Sequence, residues 1–441
     1  MHYGIYEKPN KLYAFGDIHG DYGLLRVLLI DCARVMDDDD NWIGNDSVVV
    51  FVGDLVDRSR VGCILENTQL EDGTIVKRGV GEIVDEELHI FKLIAKLNEQ
   101  SHAYGGGGFI LPLFGNHEIM NFSKQVHNFS SEFCLHHDHQ RSEEHFNSYD
   151  NMNNGSTHHG RHSRFKPRNN THIGDIHQAV LDCYKYIGPI NMICKFGEWI
   201  FVHGGIVKRF LKTFNIDLLE NIDTPHLKQN LKQNRGEKTI QILNYIVDAK
   251  FNNLPLEGTY ANHLENIWKD INTEDGPVWT RRWGQDCCDA EGSDCAELKS
   301  TLLYMFGQTN ENNKPYKLGV AHCTQINRGP SRGGNIYTYN YFTKPCVIEE
   351  KISKYCNVCN RNRDNIVRAR DSERYPGITF DCDETLWRLD AAMSRGFDFA
   401  NTTDDDDMMN ARRPQGLLID NSSQTERRCV IKANYNLNRN N

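Results

Sequence analysis

The 441-residue chain contains no apolar run approaching the roughly 18 residues that cross a bilayer, which excludes a helical membrane span. Its opening residues, MHYGIYEKPN, lack the apolar stretch of a signal peptide, so an intracellular, cytoplasmic protein is expected. Basic residues are outnumbered, 50 Lys and Arg against 60 Asp and Glu. The formal charge of −10 comes with no dense Lys/Arg stripe, so nucleic acid is not an expected partner. There is no internal repeat, which sets solenoid architectures aside. In a cytoplasmic chain the 14 cysteines are expected as thiols or metal ligands rather than disulfides.

What the chain does have is one pattern repeated in spirit: an apolar run, then glycine or histidine, then polar residues. Lys11–Phe15 leads into Gly16-Asp-Ile-His-Gly20, and Val48–Val52 into Gly53-Asp-Leu-Val-Asp-Arg58. Phe109–Phe114 leads into Gly115-Asn-His-Glu118, Trp199–Val202 into His203-Gly-Gly205, and Leu318–Ala321 into His322-Cys-Thr-Gln325. The apolar runs read as strands buried on both faces, and the polar clusters fall at their carboxyl ends, where open α/β sheets place ligands. Helical spacing over 21–35, with Asp21 as its cap, and over 84–97 gives a strand–helix–strand rhythm, hence an α/β fold.

The rest is organised around insertions. Residues 123–175 are poor in apolar residues, and His127 to His177 holds ten of the 19 histidines. A second insertion, 326–380, carries Cys346 and Cys356-x-x-Cys359, half of a zinc-type thiolate pattern to which Cys382 could add. Cys287, Cys288 and Cys295 give a weaker version of it. The acidic runs 37–40 and 404–407 read as solvated loops. A single domain over 1–420 and a flexible polar tail over 421–441 are expected.

Collected, the strand-end residues are Asp17, His19, Asp54, Asn116, His203 and His322. All are oxygen or imidazole donors, a set suited to Mn, Fe or Zn. Two divalent ions sharing one bridging carboxylate would use about this many ligands, and such a pair suits in-line displacement at phosphorus. That chemistry also explains why a buried strand ends so abruptly in carboxylates: metal and imidazole can neutralise them.

GDIHG, GDLVDRS, GNHE, VHGG and AHCTQ, in this order, resemble the calcineurin-like metallophosphoesterases, and more closely their phosphoprotein phosphatase family. The continuation of GNHE as Ile119-Met-Asn121, together with Gly276-Pro-Val-Trp-Thr-Arg281 and Met393-Ser-Arg-Gly-Phe397, resembles the Shewanella-like (bacterial-like) phosphatases. The resemblance spans roughly residues 11–400. It implies a four-layer α-β-β-α sandwich of two mixed sheets and a protein phosphatase acting on phosphoproteins. Carried over, Asp17 and His19 bind a first metal, Asp54 bridges, and Asn116, His203 and His322 complete the second site. A hydroxide between the metals attacks phosphorus. His117 is the general acid, Asp57 orients it, and Arg58 and Arg281 grip the phosphate, with Arg282 as the alternative to Arg281. No cysteine is expected to act as nucleophile in a Cys-x5-Arg loop. Three positions depart from the family pattern: Ser59 for glycine, and Ala321 and Cys323 around the last histidine. A dinucleoside polyphosphate hydrolase and a non-catalytic binding protein stay open as other readings, as do Ser/Thr against Tyr preference and the oligomeric state.

Overall fold

The computed structural model describes residues 3–57, 65–69, 75–79, 84–123, 173–214, 234–258, 260–285, 293–307, 315–323, 378–382, 384–391, 393, 414–423 and 425–433. Its core is a pair of mixed sheets. The first orders its five strands β13(Arg427–Lys432)–β12(Gln415–Asp420)–β2(Lys11–Phe15)–β3(Val48–Phe51)–β6(Phe109–Pro112). The second orders six, β1(Ile5–Tyr6)–β7(Ile193–Phe196)–β8(Trp199–Val202)–β9(Lys317–Val320)–β11(Leu386–Arg388)–β10(Thr379–Asp381). A separate hairpin pairs β4(Leu65–Gln69) with β5(Ile75–Gly79).

Each sheet contains a parallel trio, β2-β3-β6 in one and β8-β9-β11 in the other. Five of these six strands are the ones whose ends carry the polar motifs. β3 is Val-Val-Val-Phe and wholly buried, as a central parallel strand should be. Each such side chain is worth roughly 1.5–3 kcal/mol of burial. The sheets meet through aromatic contacts: Phe109 of the first sheet lies 5.3 Å from Tyr6 and 6.3 Å from Phe196 of the second.

Helices cover the outer faces. In chain order they are α1(Tyr22–Val27), α2(Val84–Tyr104), α3(Asn116–Ser123), α4(Asp175–Tyr184), α5(Lys208–Thr213), α6(Arg235–Phe251), α7(Ala261–Ile271), α8(Arg282–Gln285) and α9(Ser293–Phe306). Asp21 caps α1 by accepting from Leu24 N, and the coil then continues as a π-turn over Leu28–Cys32. Two buried asparagines fasten helices to sheets. Asn98 of α2 bonds both Ile110 N and O and the Cys183 carbonyl. Asn244 of α6 accepts from Met192 N and Ile193 N and donates to the Tyr3 and Ile193 carbonyls.

Two expectations are corrected. Part of the polar tail, 427–432, is strand β13, in six-residue antiparallel register with β12. A polar strand is legible only once its partner is known. Cys295 and Cys382, proposed as thiolates, form a disulfide across 87 residues, Cα–Cα 5.1 Å, tying α9 to the turn after β10. Cys382 and Arg388 do have Cys-x5-Arg spacing, but the sulfur is bonded and Arg388 lies in β11 with its Nε on the Trp283 carbonyl. Cys287, Cys288, Cys346, Cys356 and Cys359 lie outside the described residues, as does nearly all of the His-rich insertion. His177 is described, and it is a buried histidine stacked on Phe251 at 4.1 Å.

Far from the motif ends, Glu426 joins the two sheets. It accepts from Lys8 (2.7 Å), Lys317 of β9 (2.5 Å) and Trp199 Nε1 (3.2 Å). Burial alone would raise its pKa, but the Lys317 and Lys8 charges outweigh that and hold the carboxyl well below the usual range. Burial instead pulls the Lys317 ammonium down against Glu426's attraction, so the positive charge is most secure on Lys8. A carboxylate with a depressed folded pKa contributes stability above its unfolded value, about 4.3, and that contribution is lost as pH falls. Glu426→Gln should therefore cost about 3 kcal/mol at neutral pH. Its denaturation midpoint should also fall less than the wild type's between pH 5 and pH 2; parallel loss in both proteins would show that Glu426 does not couple stability to pH there.

Candidate metal centre

The motif glycines make the two sheets approach at one point. Gly53 has φ +86°, and a Cβ on it would meet Gly115 Cα at 2.7 Å and His203 Nδ1 at 2.8 Å. A Cβ on Gly115 would meet Asp54 Oδ1 at 2.3 Å. With neither side chain present, His203 from the second sheet passes directly against the loops that end β3 and β6. Four polar residues on the loops that follow β2, β3 and β9 also hold left-handed backbone: His19 (φ 45°), Asp54 (53°), Asp57 (65°) and His322 (64°). That conformation costs roughly 1–2 kcal/mol per residue, less for Asp, and it is a feature of sites whose surroundings over-determine the geometry.

The side chains converge on Asp54. His203 Nε2 lies 3.1 Å from Asp54 Oδ2, 2.9 Å from Asn116 Oδ1 and 3.1 Å from His322 Nδ1. His19 Nε2 lies 3.9 Å from Asp54 Oδ2 and 3.5 Å from Asp17 Oδ2. The ring tautomers follow from the other nitrogens: His203 Nδ1 donates to the Val52 carbonyl (2.8 Å) and His19 Nδ1 to the Val56 carbonyl (3.1 Å). Both therefore turn Nε2, the nitrogen that can carry a proton or give its lone pair to a metal ion, toward the carboxylates. Asp17, His19, Asp54, His203 and His322 are essentially inaccessible to solvent.

This donor set fits a divalent cation. Two groups, His19–Asp54–His117 and Asp54–His203–His322, each offer ligand atoms within 4.8 Å of one another, and Asp54 belongs to both. Carboxylate, amide and imidazole acceptors packed without solvent are what a hard or borderline ion requires. Burial would raise the Asp54 pKa; the charges of His203 and His117, the His203 hydrogen bond and the charge of His19 reverse this and hold it well below the carboxylate range.

His117, on the first turn of α3, stands beside the donors. Its Nδ1 is 2.8 Å from Asp57 Oδ2, while its Nε2 faces Asp54 Oδ2 at 3.7 Å. Asp54 Oδ1 accepts the His117 backbone N–H and so caps this helix end. Arg281 is exposed at the start of α8, next to Cys323, whereas Arg282 is engaged with Glu297 at 2.9 Å. Arg58 and Ser59 lie outside the described residues. Of the other departures, Ala321 donates its N–H to the His203 carbonyl, and Cys323 packs where a Cβ on Gly284 would sit. Burial pushes the Cys323 thiol up to about 12, so it adds no thiolate.

Sequence reasoning missed three supporting residues. Glu118 accepts four backbone N–H groups, from Asp54 (3.0 Å), Leu55 (2.7 Å), Val56 (3.2 Å) and Gly115 (2.8 Å). Burial and the Asp54 charge push its pKa up to about 7, against the pull of those donors toward the ionised form. Asn121, one turn after His117, donates to Asp57 Oδ2 and to the His117 carbonyl, both at 2.8 Å. Glu87 of α2 accepts the Asp57 N–H at 2.8 Å. The i, i+4 spacing of His117 and Asn121 on one helix face was the available signal for the second of these.

Two curated relatives match part of the chain. A protein of Arabidopsis thaliana described as Shewanella-like protein phosphatase 2 is 34% identical over 116 residues, 26% of this chain and 22% of that protein. The chain resembles the Shewanella-like protein phosphatases. Shewanella-like protein phosphatase 1 of Plasmodium berghei is 30% identical over 111 residues, 25% of this chain and 23% of that protein. The chain thus matches under a quarter of the length of these Shewanella-like relatives. Among solved structures, a cold-active protein-tyrosine phosphatase of a psychrophilic Shewanella superposes with a TM-score of 0.46 at 13% identity, over 95% of this chain and 78% of that one. No family model matches the chain.

Proposed function

We propose that this chain is a metal-dependent protein phosphatase that hydrolyses phosphomonoesters of serine, threonine or tyrosine. The observation that carries the reading is the placement of Asp54, shared by two donor groups and facing His117, whose far nitrogen is held by Asp57. Asp17, His19 and Asp54 would hold one divalent ion, and Asp54, Asn116, His203 and His322 a second, with Mn, Fe or Zn as the fitting elements. Bound ions would supply Lewis acidity toward phosphoryl oxygen and lower the pKa of nearby water.

The remaining work falls to the chain's own residues. Arg281, and Arg58 by its place in the motif, would bind phosphate oxygens through their guanidinium forks. His117 would carry a proton on Nε2 and give it to the departing side-chain oxygen. Asp57 fixes the ring through Nδ1–H and compensates its charge when protonated, and Asn121 fixes Asp57.

The test is activity after stripping the protein and adding back Mn, Fe, Zn or Mg singly, on phosphoserine, phosphothreonine and phosphotyrosine peptides and on diadenosine tetraphosphate. Phosphopeptide turnover should return with Mn, Fe or Zn. His117→Asn should lower kcat by about 10²–10⁴ with metal content unchanged. Preference for the dinucleotide would replace the protein substrate with a nucleotide one, and unchanged turnover in His117→Asn would remove the histidine from its role.

A further inference from the structure

Away from the metal centre, the chain folds a second concave site. A cavity of about 670 Å³ opens between the N-terminal segment, the end of α4 with the loop after it, and α6 with the turn that follows. That size lies within the range of small-molecule pockets. No residue of the metal centre lines it. Four of its lining residues are tyrosines, Tyr3, Tyr184, Tyr186 and Tyr245, and two are carboxylates, Asp248 and Glu257. Leucine, isoleucine and proline supply most of the rest, including the exposed Leu254.

Its polar wall is built in. Asn244 donates to the Tyr3 carbonyl at 3.1 Å, and Lys195 N–H donates to the Gly4 carbonyl at 2.7 Å. A Cβ on Gly4, at φ +82°, would meet Asn244 Nδ2 at 2.2 Å, so glycine is what lets the chain turn there and deliver Tyr3. Asp248 is held by the Ile190 N–H at 3.1 Å, from the loop across the cavity. Burial pushes Asp248 up to about 6, and burial with the nearby Asp248 and Tyr245 pushes Tyr3 up to about 12. Both shifts describe a poorly hydrated interior that resists further negative charge.

We infer that this cavity binds a small organic cation, an ammonium carried on an apolar body. Two carboxylates and four electron-rich rings complement positive charge, and the aliphatic wall complements the body. The chain already shows the pairing at the rim: the Lys185 ammonium lies over the Tyr186 ring, 4.9 Å from its centroid. Lys185 is itself exposed, and its charge is outweighed by Asp248 and Glu257. An anion would meet both carboxylates, and a neutral ligand would leave the half-buried Asp248 uncompensated.

Calorimetric titration of the full chain with 4-phenylbutylammonium, 4-phenylbutanol and 4-phenylbutyrate, at constant ionic strength, tests this. The ammonium should bind about tenfold or more tightly than the alcohol, and the carboxylate should not bind. Asp248→Asn, which keeps the acceptor for Ile190 N–H, should weaken the ammonium about tenfold and leave the alcohol unchanged. Glu257→Gln, at an exposed position that cannot threaten folding, should weaken the ammonium alone by about threefold. Equal affinity for ammonium and alcohol, unchanged ammonium binding in both variants, or binding only of a lysine-rich peptide would overturn the inference.

Discussion

Asp54→Asn should abolish turnover while leaving the protein folded. Asn is nearly isosteric with Asp and is among the few residues at ease in left-handed backbone, so φ 53° at this position is retained. The Oδ1 that caps α3 through His117 N–H has an equivalent in the amide carbonyl. What disappears is the negative charge where His203, His117 and His19 converge. Because Asp54 belongs to both donor groups, its loss would damage both proposed metal sites together. We expect kcat/KM to fall by about 10³ or more, roughly 4 kcal/mol of barrier, with bound metal well below the wild-type content. Elemental analysis of the purified variant alongside phosphopeptide kinetics checks it. Full metal content with near-normal turnover would mean that Asp54 does not bridge, and the two-ion reading would fall with it.

Glu118→Gln should be the most damaging substitution for stability around the site. The carboxylate accepts two N–H groups on each oxygen: Leu55 and Val56 on Oε1, Asp54 and Gly115 on Oε2. A glutamine in either flip offers oxygen to one pair and an amide NH2 to the other. Two buried N–H groups are then left facing a donor, at roughly 1–3 kcal/mol each, so a loss of about 4 kcal/mol is expected. For a chain of this size that is on the order of 4 °C in Tm. The same loops set the backbone of Asp54, so metal affinity should weaken as well, even though Glu118 is not placed as a ligand. Thermal denaturation of the metal-free proteins separates the two effects. A Tm unchanged in the apo variant, with weakened metal binding alone, would assign Glu118 to the metal rather than to the loops.

Much of this was legible in the amino-acid order. β2, β3, β6, β8 and β9 fall on the apolar runs, because parallel strands buried on both faces need unbroken Val, Ile, Leu and Phe, and such runs stand out. Asp17, His19, Asp54, Asn116, His203 and His322 follow these strands in the chain, and the fold brings them together. The helix over 84–97 is present and runs on to Tyr104. Less visible were elements whose identity depends on a distant partner. β13 carries two arginines and a lysine and becomes a strand by pairing with β12. Cys295 and Cys382 look like metal thiolates until the fold brings them within bonding distance.

The sequence by itself determined which donors the site contains and at which strand ends they lie, since strand periodicity and local chain direction are short-range properties. Tertiary structure alone decided how those donors work. Bare glycines at 53 and 115 let His203 cross from the other sheet, and a single carboxylate, Glu118, gathers four amides from two loops. Asn121 and Glu87 hold Asp57 from two different helices. Such arrangements are sums of contacts between residues up to hundreds of positions apart, and no local pattern encodes which buried polar group will satisfy another.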